Sequence, residues 1–176
     1  GLIGPEGQAL PLQYEGELTS HGTETVLLLE HVEQKFHFVN VLVEPTPSLL
    51  RGFSAPGLLE DGLSDAQLLN LLRHDSDAFN RGEASQRLAL KRVLRAVRAG
   101  NPLQLDNAYL EAMRALLRDG QLDPAFKAEA LRLPDAAYLA EQLDVVDPQA
   151  LHAAVEAAWN QLATALREDW AWAFEQ

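Results

Sequence analysis

The sequence predicts an α+β chain, with a partial β-sandwich over residues 1–60 followed by an α-helical, solenoid-like bundle over residues 61–176. Three observations carry this. Residues 1–63 hold eight of the eleven glycines and five of the nine prolines, the punctuation of short strands and turns. The remainder repeats apolar residues every three or four positions behind Ser and Asp start signals. The charge balance also shifts, from nine acids against two bases before residue 64 to 17 against 12 after it.

Taken in order, Pro5-Glu-Gly7 is a turn, because proline presets φ and glycine tolerates positive φ. Leu10–Tyr14 alternates apolar residues, and its Pro11 suits an edge strand. Thr25–Leu29 is an apolar run of buried-strand length. Lys35–Val43 is the strongest strand, with Phe36 and Phe38 on one face, Asn40 next in that series, and His37, Val39 and Val41 on the other. Strands this few need a covering layer, expected from residues before Gly1.

The helices announce their starts. Ser64 and Gln67 have capping-box spacing. Asp75 or Ser76 caps a second helix that runs to about Ala99 and stops at Gly100. Asp106 caps a third, with Leu110, Met113 and Leu117 inward and Gly120 as its stop. Asp123-Pro124 and Asp147-Pro148 pair an acidic cap with proline at the first helical position. A short helix lies over 135–143. The last, over 148–175, is expected to be the longest, with one stripe of Leu151, Val155, Trp159, Leu162, Leu166, Trp170 and Ala173 along about 40 Å. A second row of Ala154, Ala158 and Ala165 permits close helix approach.

The net charge of −12 excludes the basic face that a nucleic acid or an anionic membrane demands. No apolar run reaches the ~18 residues of a membrane span. The absence of cysteine fits a reducing compartment. Zinc hydrolysis needs His-Glu-x-x-His, and no two of His21, His31, His37, His74 and His152 lie four apart. His31-Val-Glu33 lacks the two cysteines of a deaminase site. His74-Asp-Ser-Asp77 has the residue types of a hydrolase, but four adjacent residues at a helix start suit capping better. Asp144 and Asp147 read as a cap, His152 and Glu156 as a surface pair, and Trp159, Trp170 and Trp172 as packing anchors. Arg167-Glu-Asp169 reads as a solvated face.

Several strings then fall in one order: Gly1–Gln8, Phe38–Asn40, Ser48–Pro56, Asn80–Gln86, Leu122–Ala125, Leu133-Pro134, Tyr138–Glu141 and Asp144–Pro148. In that order they resemble the bacterial aminopeptidase N family of gluzincin zinc metallopeptidases, along essentially the whole chain. The resemblance implies the end of the family's small β-sandwich and the start of its helical C-terminal domain. It implies a bacterial, cytoplasmic hydrolase of peptide catabolism that removes N-terminal residues from peptides, with zinc in a catalytic domain upstream. The site expectation for this chain is therefore empty: catalytic none, cofactor-binding none, metal none. Its partner would be the catalytic domain of the parent polypeptide, and its role to link domains and wall the substrate chamber. Self-association of exposed strand edges is expected. The alternative is a free-standing α-solenoid binding or scaffold protein. Two positions depart from the family pattern: Gly82 stands where tryptophan is usual and Ser85 where glycine is usual. The stretch 57–63 is looser than its β-rich family counterpart.

Overall fold

One two-stranded ladder and seven α-helices are found among the described residues of the computed structural model, which are 1–57 and 59–175. Strand β1 (Leu2–Ile3) pairs antiparallel with β2 (Thr46–Pro47). Gly1 and Ser48 extend the ladder, each donating its N–H to the other's carbonyl at 2.8 and 2.9 Å. The turn expected at Pro5 closes with Gly7 N–H donating to the Gly4 carbonyl at 3.0 Å. Gly7 has φ 83, and a Cβ there would fall 2.3 Å from His74 Cγ, so only glycine lets these segments meet.

The other strand expectations shrink. Leu10–Tyr14 meets Lys35–Val43 at a single bridge, Tyr14 to Phe38, whose rings stack at 5.1 Å. Flanking it, Glu15 N–H donates to the His37 carbonyl and Val39 N–H to that of Gln13. Thr25–Leu29 forms no ladder, and Val26, Leu28 and Leu29 are exposed. The reason is physical: β propensity yields a strand only where a partner supplies hydrogen bonds and a packing face. Asn40 leaves the series because it adopts φ 60, its amide donating to Gln13 Oε1 at 2.7 Å. Leu58, in the loose stretch 57–63, lies outside the described residues.

The helices follow their caps. Helix α1 (Asp65–His74) begins with the full Ser64–Gln67 capping box. Helix α2 (Ala78–Ala99) is the longest, capped by Asp77 and stopped by Gly100 in the left-handed region. The cap therefore falls one residue beyond Ser76, because Asp75 and Ser76 are engaged elsewhere. Helix α3 (Asn107–Arg118) is capped by Asp106, α4 (Pro124–Ala130) by Asp123 and α5 (Ala136–Glu141) by Asp135. Helix α6 (Pro148–Ala165) is capped by Asp147, and α7 (Arg167–Phe174) follows after a break.

That break corrects the expected single last helix. Leu166 takes φ −107 and ψ 19, outside the helical range, so α6 ends before it and α7 starts after it. The inward face is also rotated. Leu151, Ala154, Ala158, Leu162 and Leu166 are buried, whereas Trp159 and Trp170 are among the exposed large apolar residues. Ala154 and Ala158 lie inward where α6 packs on α2, because small side chains permit close helix approach. The core itself gathers Leu68 and Leu72 of α1, Leu88 and Val93 of α2, and Met113 and Leu116 of α3.

Candidate functional site

The most highly connected polar cluster lies where the β part meets α1 and α2. It joins residues of two of the strings singled out above, Ser48–Pro56 and Asn80–Gln86, through Asp75, Ser76 and Asp77. Its centre is Arg51, one of the two bases before residue 64. The guanidinium donates to Asp75 Oδ1 at 2.6 Å, Ser48 Oγ at 2.8 Å, Ser76 Oγ at 2.7 Å and Glu24 Oε2 at 2.9 Å. Asn80 closes the cluster, its amide donating to Ser48 Oγ and to the Leu49 carbonyl, both at 2.9 Å. Asp77 serves both sides: one oxygen accepts from Asn80 N–H at 2.8 Å, the other from Gly52 N–H at 2.9 Å.

Local backbone makes this convergence possible. The turn Arg51–Phe53 and the residue before it carry Leu50 at φ 51, Gly52 at φ 60 and Phe53 at φ 54. Left-handed conformations are unfavourable for leucine and phenylalanine, so the surrounding contacts hold them there. A second tie comes from Asn70 of α1, whose amide donates to the Gly4 carbonyl at 3.0 Å and to Thr46 Oγ1 at 3.1 Å.

The electrostatics favour a permanently charged centre. Burial works against the Arg51 charge, but the Asp75 and Glu24 carboxylates outweigh it and raise its pKa. Asp75 is fully buried, and its Oδ2 has no hydrogen-bond partner among the described residues. Nearby, His74 is pushed below its ordinary value by burial and by the charges of Arg73 and Arg81. These groups can hold two structural units together. They present no nucleophile–base pair: the polar atoms of Asp75, Ser76 and Asp77 face Arg51, Gly52 and the start of α2.

The remaining sequence candidates are dispersed. His21 pairs with Glu17 and lies edge-on to Tyr14 at 4.9 Å. His31 and His37 are exposed on the β part. His152 pairs with Glu156 at 3.6 Å on the outside of α6. Asp147 caps α6, while Asp144 is exposed. Among the described residues no three His, Cys, Asp or Glu side chains cluster as metal ligands, so the donors present do not fit a zinc site. Nor is any helix among them long and apolar enough to cross a membrane.

Two features escaped sequence reading. Asp169 is buried, not solvated, and accepts from Arg114 at 2.9 Å and Arg118 at 2.7 Å, which also stands 4.6 Å over the Trp172 ring. Burial pushes its pKa up, but the two arginines prevail and hold it low. Tyr109 is buried beneath Arg92, 4.6 Å from its ring centre, and burial pushes its phenol well up. Arg51 itself had a signal: an arginine that is one of two bases amid nine acids before residue 64.

Comparison with known proteins gives this joint its setting. Residues 1–62 match the family described as domain of unknown function DUF3458, Ig-like fold. Residues 65–176 match the domain of unknown function DUF3458_C, ARM repeats. The chain is 40% identical over 171 residues to aminopeptidase N of Escherichia coli, covering 96% of this chain and 19% of that protein. It is 35% identical over 167 residues to aminopeptidase N of Caulobacter vibrioides, covering 94% of this chain and 18% of that protein. A crystal structure of Legionella pneumophila aminopeptidase A in complex with aspartic acid superposes with a TM-score of 0.79 at 28% identity, over 98% of this chain and 19% of that one. The chain thus spans about a fifth of the relatives it matches. It belongs to the DUF3458_C ARM-repeat family, preceded by an Ig-like DUF3458 unit as in the aminopeptidase N homologues that align along nearly its whole length.

Proposed function

We propose that this chain is a non-catalytic part of a zinc-dependent aminopeptidase that removes N-terminal residues from peptides. In this reading residues 1–60 complete a β-sandwich, and residues 61–176 begin a helical domain walling the substrate chamber. The observation that carries it is the collinear match of 171 residues to one-fifth of aminopeptidase N. The charged joint around Arg51 supports it, because a chamber wall must hold a fixed angle to the domain that bears the chemistry. Zinc, held upstream, would polarise the scissile carbonyl and activate water. This chain's residues supply position, not reaction, and we assign it no catalytic or metal-binding residue. The reading places the protein in the cytoplasm, with the parent's catalytic domain as its partner.

The test has two arms. The reading frame upstream of Gly1 should encode His-Glu-x-x-His. The purified chain should hold no stoichiometric zinc by elemental analysis and should leave alanyl and leucyl chromogenic amides intact. An upstream frame without the motif, or turnover proportional to this chain, overturns the proposal.

A further inference from the structure

Beside the joint, where α2 faces α4 and the start of α5, lies an open groove of about 460 Å³. Its walls are aromatic, formed by Phe79, Phe126 and Tyr138. Its floor is bare at Gly82, where an added Cβ would meet only Phe126 Cε2, at 3.5 Å. Phe79 and Tyr138 remain 42% and 48% exposed, a large share for rings that line a concavity. The strained turn extends this surface, because Phe53, held at φ 54, lays its ring 5.2 Å from that of Phe79.

The groove is also acidic. Glu83, Glu129 and Asp135 line it against one cation, Arg132. Arg132 is already committed to Glu129, at 3.2 Å. Among the described residues no Lys, Arg or His stands within ion-pair distance of Glu83 or Asp135. Asp135 spends one oxygen on the Tyr138 N–H at 2.8 Å as the cap of α5, so exposed ring faces and carboxylates without an ion-pair partner share one concave surface.

We propose that this groove docks an arginine side chain presented by an extended segment of a separate polypeptide. Ring faces carry negative potential and attract a cation. A guanidinium is planar and weakly hydrated, so it stacks where an ammonium stays solvated, and its edge donates to carboxylates. An aliphatic occupant would cover the rings but leave Glu83 and Asp135 unanswered, and an acidic one would be repelled. The net charge of −12 adds long-range attraction for a basic segment. The inference goes beyond the proposed function, since it concerns a surface lined by residues of this chain.

The full chain is titrated with three blocked tripeptides that differ only in a central arginine, leucine or glutamate, reading the aromatic proton shifts of Phe79 and Tyr138. The arginine peptide should saturate at least about tenfold more tightly than the leucine peptide, and the glutamate peptide should not bind. Gly82→Trp, which fills the floor, should abolish the response while circular dichroism stays helical. Glu83→Gln should weaken arginine binding about threefold and leave the leucine response unchanged. Equal affinity for arginine and leucine, or no saturable binding of arginine, overturns the proposal, as does unchanged binding in both Gly82→Trp and Glu83→Gln. Should Gly82→Trp fail to fold, Glu83→Gln combined with Glu129→Gln decides by the same readout.

Discussion

Arg51 shows how one side chain substitutes for an apolar interface. Its guanidinium satisfies four acceptors from three chain segments, and its removal leaves the buried Asp75 carboxyl without its cation. Arg51→Ala should therefore cost about 3 kcal/mol in urea unfolding, the typical loss for orphaning a buried charge. Arg51→Lys should recover only a minor part, since an ammonium cannot span that fork of acceptors. His74 gives a pH-dependent counterpart. Its folded pKa lies below the ordinary 6.5, so the folded state resists protonation more than the unfolded chain does. The resulting stability is complete above about pH 7 and is lost as pH falls through the folded value. The carboxylates of Asp61, Asp106 and Asp119 are all held low by arginine partners or by backbone N–H groups, and their contribution fades only below about pH 4. Thermal melts between pH 7 and 5 should thus show a loss that is reduced in His74→Asn, with the wild-type and variant curves running parallel below pH 4. These roles were only half legible: the residues stood out in their strings, but the acidic partners of Arg51 lie 24 or more positions away in sequence.

At the level of elements, helix starts could be read and strands could not. Ser64, Asp106, Asp123 and Asp147 each cap the helix expected of them, because a cap is a local bond to an N–H two or three residues on. The second helix start slipped to Asp77 because Asp75 had a distant, stronger claim in Arg51. The strands over 25–29 and 35–43 depend on neighbours that no local pattern specifies. The last helix was found, and Leu151, Leu162 and Leu166 of its expected stripe are buried, but Trp159 and Trp170 are not. Large apolar residues attract notice in a sequence, yet Ala158 is buried and Trp159 is half exposed. Ala158→Leu should destabilise by about 2 kcal/mol through overpacking. Trp159→Gln should cost clearly less, and paired denaturation curves check the order. The two departures from the family pattern also find structural settings. Ser85 is buried and donates to the Ala130 carbonyl at 2.6 Å, tying α2 to α4, while Gly82 faces the open groove. Gly82→Ala should stabilise by about 1 kcal/mol, since the site is helical and roomy.

Across the whole molecule, most of the core lies in the helical part, while the β part carries a run of exposed apolar residues over few positions. Leu18, Val26, Leu28, Leu29, Val32 and Leu42 all lie on the outside of the first 43 residues. Surface of that kind invites partners. Sedimentation velocity over a tenfold concentration range should show self-association, whereas a concentration-independent monomer would point to intrinsic solubility of this face. The order of elements was legible as two grammars in succession. How they meet was not, because it is set by a few long-range polar bonds. The left-handed turn at Leu50, Gly52 and Phe53 bears on the folding route. Those backbone angles are unfavourable until the clamp closes over them, so the connection cannot form ahead of the bodies it connects. The pairing of β1 with β2 and the docking of α1 against α2 should consequently emerge together, and melt together, as a single kinetic event.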